Sequence, residues 1–187
     1  LANLALRYIS LVDGAALAVE QFSTANNMTM QMPALSNLVR SGKGQKAVQK
    51  FYSQWRHERL VIDKWFSLQV SNCDPAHAVK ITESLLDHPD FTLKNPNRFR
   101  SLIGALAMNP AAFHQPDGSA YALVADQLIA LDDLNPQLCA RMTTVFETWR
   151  RYDAKRQNMM KVALQLVLAK PKLSRDTREM VSRLLDA

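Results

Sequence analysis

Apolar residues recur at i, i+3, i+4 and i+7 along almost the whole chain, the spacing that lines one face of a helix. The clearest case is Asn95 to His114, NPNRFRSLIGALAMNPAAFH. Phe99, Leu102, Ile103 and Leu106 make one stripe. Asn95 is placed to accept from the free N–H groups of the first turn. Pro96 follows where a missing N–H costs nothing. Asn109-Pro110 then closes this helix and opens a short one carrying Phe113 and His114. The same device returns as Asp74-Pro75 and as Asn135-Pro136, the latter forty residues after Asn95.

The remaining stripes follow in order. Leu1, Leu4 and Ile9 belong to a first helix ending near Val12. A second spans about 15–25, and a third holds Met32, Leu35, Leu38 and Val39. Ser41-Gly42-Lys43-Gly44 is a loop, with glycine suited to a left-handed residue after a helix end. It lacks the GxxxxGK[ST] pattern and a preceding strand, so it is no phosphate loop. Val48, Phe51, Tyr52 and Trp55 mark the next helix. Leu60, Val61, Trp65 and Leu68 mark another, with Phe66 on its flank, and these aromatics read as a core cluster. Further helices carry Val79, Leu85 and Leu86; Tyr121, Val124, Leu128 and Leu131; and Leu138, Met142, Val145 and Trp149. Asp153 caps a helix with Met160, Ala163, Leu164 and Val167, and Ser174 caps the last, with Thr177, Val181 and Leu184 facing in. About a dozen helices and no convincing strand result. Caps recurring about every forty residues fit the unit length of HEAT and armadillo repeats. Each pair would bury its stripe by stacking on its neighbours. The expected fold is all-α, an armadillo/HEAT-like superhelix of antiparallel helix pairs, in one domain over 1–187.

Composition narrows the function. At 48% hydrophobic and 21% charged the chain has the balance of a folded domain rather than a disordered one. The formal charge of +6 is spread over many helices, so solvated outer faces explain it better than a nucleic-acid surface. The densest basic run, Arg150, Arg151, Lys155 and Arg156, reads as a solvated helix end. No apolar run reaches the ~18 residues of a membrane span. Cys73 and Cys139 are too few for a disulfide framework and suit buried, reduced thiols in the cytoplasm. The start, LANLALRYIS, has neither a Met nor a capping residue and reads as a fragment of a longer protein.

Catalytic motifs are missing. His57-Glu58-Arg59-Leu60-Val61 approaches HExxH, whose two histidines bind zinc from one helix face, but Val61 stands at the second ligand. His77, His88 and His114 lack partners at ligand spacing, and His114 reads as a hydrogen-bonded structural residue. There is no nucleophile elbow and no activated cysteine. Arg100 and Arg141 each sit beside an apolar stripe, where an arginine can lay its stem on the core and present a charged fork. From the residues alone a structural ion pair with a neighbouring helix is the better reading of both.

Several strings carry a family resemblance. ANNMT at 25–29, DKWF at 63–66, FTLKNPNR at 91–98, NPNRFRSLIGA, NPAAFH and RYDAKRQ at 151–157 resemble, in order and approximate spacing, the C-terminal helical domain of bacterial aminopeptidase N, the zinc-dependent alanyl aminopeptidase. The resemblance runs over nearly the whole chain. It implies an armadillo-like superhelix whose concave side closes over a zinc cleft held in other domains of the same parent chain. The GxMEN string of that family is absent here, as is an intact HExxH, so the zinc belongs to the parent and this fragment alone is expected to be inactive. The resemblance also implies that Arg100, in NPNRFR, and Arg141, in NPQLCAR, line the chamber that admits peptide substrates. The residues alone also admit a stand-alone helical scaffold for protein interactions, or a basic RNA-binding helical protein whose binding would fall steeply with salt.

Overall fold

The computed structural model describes residues 1–186, and among them every regular element is a helix. Thirteen α-helices follow one another with short connections. They are α1 (Ala2–Val12), α2 (Ala16–Thr24), α3 (Met28–Arg40), α4 (Gln45–Trp55), α5 (Arg59–Asn72), α6 (Ala78–Leu86), α7 (Pro96–Phe99), α8 (Ala105–Ala107), α9 (Pro110–Phe113), α10 (Ser119–Asp132), α11 (Pro136–Met142), α12 (Ala154–Leu168) and α13 (Arg175–Asp186). A π-helical turn, Arg100–Gly104, joins α7 to α8 into one continuous helix over 96–107.

The helices form two layers. Helices α1, α3, α5 and the 96–107 helix pack side by side in one layer, which α11 and α13 continue. The other layer holds α2, α4, α6, α10 and α12. Successive helices pack across the layers, α2 on α3, α4 on α5, α10 on α11 and α12 on α13. The core between them is continuous, with Leu35, Phe51, Phe66, Phe99, Leu102, Phe113, Tyr121 and Phe146 each almost fully shielded from solvent.

Polar side chains punctuate the chain as the sequence implies. Asn27, Asn95, Asn135 and Asp153 each accept from a backbone N–H in the first turn of their helix, and Ser174 Oγ accepts from Thr177 N. Asn109 differs: its side chain donates to Val70 O at 3.2 Å and ties the helix start to the end of α5 instead of capping. Gly42 has φ 72°, the left-handed conformation that closes α3.

Two stripes differ from their sequence pattern. Leu60 is 70% exposed, because α5 turns Ile62, Trp65 and Phe66 inward and leaves Leu60 on its outer edge. Leu4 and Ile9 of α1 are also exposed, and Leu6 is the apolar side chain of that helix that reaches the core. The basic run at 150–156 is largely solvated, with Arg150, Arg151 and Lys155 exposed and Arg156 half-buried. Arg150 stacks on Trp149, 4.0 Å from the ring centre, and donates to the carbonyls of Leu184 and Leu185, so it caps the end of α13.

Replacing Asn95 by alanine removes two capping bonds, to Asn97 N and Arg98 N. Urea denaturation is expected to show a loss of about 1 kcal/mol.

Candidate functional site

The sequence places two arginines at the edges of apolar stripes, and the structure separates a structural arginine from them. Arg98, two residues before Arg100, is 5% exposed. Its Nε donates to Asp63 Oδ1 at 2.7 Å and its Nη1 to the Asp90 carbonyl. Its guanidinium lies 4.7 Å from the centre of the Phe66 ring. The ion pair that the sequence allowed for Arg100 therefore belongs to Arg98.

Arg100 and Arg141 are both exposed, and both lie on the layer that contains α3 and α5. Among the described residues no carboxylate lies within 4.0 Å of either. Arg100 Nη1 makes only a long contact, 3.5 Å, to Asn97 Oδ1. The π turn carries Arg100 on its outer side while Leu102 and Ile103 enter the core. Such turns insert a residue into a helix and recur at functional positions. Gly104 closes the turn, and a Cβ there would touch Arg100 Cβ and Met142 Cε, each at 3.8 Å. The 96–107 helix and the residue after Arg141 are thus in close approach, which brings the two arginines onto neighbouring helices of one layer.

Two grooves flank α5. One, of about 1080 Å³, lies between α4 and α6 and has an aromatic wall of Tyr52, Trp65 and His88. Its charged walls are one base and one acid, Arg40 and Asp74, so it carries no net bias. The other, about 720 Å³, runs over α3, α5 and the 96–107 helix and contains Arg100.

His114 is a structural latch. Its Nδ1 lies 2.7 Å from Tyr121 Oη, its ring stacks on Tyr152 at 3.9 Å, and its carbonyl accepts from Arg156 Nε. Burial, with Arg156 nearby, pushes its pKa down, and burial pushes the buried Tyr121 hydroxyl up to about 12. The two groups share one hydrogen bond, whose donor is set by the imidazole tautomer. His57 lies in the exposed turn before α5, and Glu58 stands at the start of that helix. Among the described residues no three His, Cys, Asp or Glu side chains converge as metal ligands, so these residues do not fit a zinc ion. Cys73 and Cys139 are unpaired, and burial raises both thiols, Cys139 to about 11.

Comparison with known proteins gives this geometry a family. The domain of unknown function described as DUF3458_C ARM repeats matches residues 1–186. The chain belongs to that family. It is 38% identical over 187 residues to aminopeptidase N of Haemophilus influenzae, covering 98% of this chain and 21% of that protein. It is 39% identical over 191 residues to aminopeptidase N of Escherichia coli K12, covering 99% and 22%. A solved structure, Legionella pneumophila aminopeptidase A in complex with aspartic acid, superposes with a TM-score of 0.92 at 33% identity, over 98% of this chain and 22% of that one. The chain thus spans about a fifth of the length of these relatives and corresponds to one domain of a larger aminopeptidase. The ARM-repeat family and the two helical layers agree with the superhelix expected from the capping period.

The arginines separate by experiment. Arg98→Ala strands the half-buried Asp63 and is expected to cost about 3 kcal/mol or more. Arg100→Gln and Arg141→Gln are expected to change stability by at most about 0.5 kcal/mol. Urea titration of the three variants reads both outcomes.

The latch also sets a pH dependence. An unfolded histidine titrates near ~6.5, whereas folded His114 holds its proton only at lower pH. The unfolded chain binds more protons in that window, so this stability is complete above about pH 6.5 and is lost as pH falls through the folded value. His88, lowered mainly by burial, adds in the same direction. The urea midpoint is expected to fall between pH 7.5 and 5.5, with a shallower fall in His114→Gln.

Proposed function

We propose that this chain is the C-terminal capping domain of an aminopeptidase N. Its helical layers wall off the zinc site held by the catalytic domains of the same parent chain. The wall restricts access to peptides whose N-terminal residues the parent removes. Arg100 and Arg141 line the chamber on the capping side. In this reading the domain contributes access and electrostatics, and the zinc chemistry resides in the rest of the parent. Unpaired Cys73 and Cys139 suit a cytoplasmic enzyme.

One observation carries the reading. Arg100 is exposed on a π turn, with no carboxylate within 4.0 Å among the described residues, beside a helix that brings Arg141 onto the same layer. An uncompensated guanidinium is a fixed positive charge with a planar fork, suited to attract and orient carboxylates. The relationship to aminopeptidases supplies the enzyme on which such a charge would act.

The test is length-resolved kinetics in the full enzyme. Arg100→Ala and Arg141→Ala are expected to lower kcat/KM for peptides of four or more residues by roughly fivefold each, about 1 kcal/mol. Hydrolysis of an alanine arylamide, too short to reach the domain, is expected to stay within about twofold. Unchanged kcat/KM at every peptide length, together with an unchanged length profile after deletion of the domain, would overturn the proposal.

A further inference from the structure

The ends of α1 and α3 enclose a small pocket that the capping proposal does not use. Arg7, Ser10 and Gly14 come to it from the end of α1, and Asn37, Arg40 and Lys43 from the end of α3. Arg7, Ser10 and Gly14 follow at i, i+3 and i+7, and Asn37 and Arg40 at i and i+3, so each helix turns one face to the pocket. Its volume is about 320 Å³, roughly ten waters at the ~30 Å³ that each takes in the liquid. That is room for a polyatomic ion or a small ester of one, and too little for an extended peptide.

Three cations converge there, and no acid lines the pocket. Among the described residues none of the three has a carboxylate within 4.0 Å. Two of them are held by neutral oxygens instead. Arg40 Nη1 donates to Asn37 Oδ1 at 3.2 Å, and its Nη2 donates to Asn72 Oδ1. Lys43 Nζ donates to the Gly14 carbonyl at 2.6 Å. Gly14, at φ 63°, has no Cβ to hold that ammonium off; one built there would stand 3.0 Å from Nζ. Such contacts fix a cation's position and leave its charge uncancelled. Burial, and after it the charge of Arg7, pushes the Arg40 pKa down, which places the two like charges within reach of each other. Against the three stand the C-terminal ends of α1 and α3, worth about half a negative charge each. Asp13 is also near, but its two oxygens accept from Ala15 N and Leu17 N at the start of α2. Even with Asp13 counted in full, about one positive charge is left over.

Ser10 is the observation that points to a ligand. It is 8% exposed, and its Oγ is the one buried side-chain oxygen or nitrogen among the described residues without a hydrogen-bond partner. A helical hydroxyl ordinarily returns to a carbonyl one turn back, as those of Thr82, Ser101 and Thr143 do here. Ser10 makes no such bond and lines the pocket beside the cations. An orphaned buried hydroxyl is a cost to the fold that a bound acceptor would remove.

We infer that this pocket binds a phosphate group, held by Arg7, Arg40 and Lys43, with Ser10 Oγ donating to one of its oxygens. Arg40 has five donors, and its contacts with Asn37 and Asn72 leave most of its fork for the ion. Arginine forks match phosphate oxygens in parallel pairs, and Lys43 adds a point charge. A carboxylate, with two oxygens and one charge, would leave part of this set unmatched. The phosphate can be the free ion or the head of a small monoester, because both present the same oxygens.

The test is titration of the nitrogen-15-labelled 187-residue chain with inorganic phosphate, sodium chloride being lowered to hold the ionic strength constant. It involves no turnover, so its outcome is independent of the capping proposal. Saturable amide shifts are expected at Ser10, Gly14 and Ser41, and acetate is expected to bind at least about fivefold more weakly. Arg7→Gln and Lys43→Gln, both at exposed positions, should each weaken phosphate by about fivefold. Ser10→Ala should weaken it by about tenfold, while the urea midpoint without phosphate stays level or rises because the orphan hydroxyl is gone. Glycerol 3-phosphate is the second probe. Binding comparable to inorganic phosphate assigns the pocket to a monoester head, and its failure beside bound inorganic phosphate assigns it to the free ion; both support the site. Identical spectra in phosphate and in chloride, shifts confined to other surfaces, or wild-type affinity in all three variants would overturn the inference.

Discussion

The Arg98–Asp63 ion pair is the constraint from which much of this architecture follows. Arg98 enters from the first turn of α7 and reaches Asp63 on α5, the Asp90 carbonyl in the preceding loop and the face of Phe66. A guanidinium has five donors, and only when most of them are matched is its burial tolerable. Meeting that demand fixes the angle between α5 and the 96–107 helix, and with it the walls of the groove on one side. On the other side of α5, Phe66 packs edge-on against Trp65 and His88, so the same cation also bears on the aromatic wall of the second groove.

A second hub holds the later half together by a similar logic. His114 follows the short helix α9 and meets Tyr121 from α10, Tyr152 from the approach to α12 and Arg156 from its first turn. The last helix is fastened by Asp132, which accepts from Ser174 N at 2.9 Å and approaches Lys170 at 3.5 Å. Burial works against the Asp132 charge, but these bonds, with Thr177, hold its carboxyl below the ordinary range. Repeat folds make contacts mainly between neighbouring units. Here the junctions at Arg98, His114 and Asp132 have a polar fastening in addition to the apolar stack, and these fastenings do not engage Lys64, Arg100 or Arg141.

The strings that carry the family resemblance gain a physical meaning from this. DKWF and NPNR are far apart in the chain, yet they supply Asp63, Phe66 and Arg98 to one buried site. NPAAFH and RYDAKRQ supply His114, Tyr152 and Arg156 to another, while ANNMT supplies the Asn27 cap of α3. Such strings identify the fold because they are where its helices are fastened. Arg100, in the same stretch, stays out of the fastening, with only a long contact to Asn97.

The sequence by itself determined the helical class, the near absence of other structure, and most helix starts, because capping and i, i+4 patterning are local and need no partner. It also fixed which histidine is structural and that no HExxH is present. It did not determine which arginine is buried. Arg98 and Arg100 both flank the same apolar stripe, and the difference between them depends on Asp63 and Asp90, which local pattern does not place nearby. The same holds for Leu60, whose exposure depends on which face of α5 its neighbours claim, and for Arg150, whose carbonyl partners lie on α13. The charge of the pocket between α1 and α3 is likewise a tertiary fact. Arg7, Arg40 and Lys43 become one positive site only because α1 packs on α3, and charge placement between distant segments exists only once the helices have been brought together.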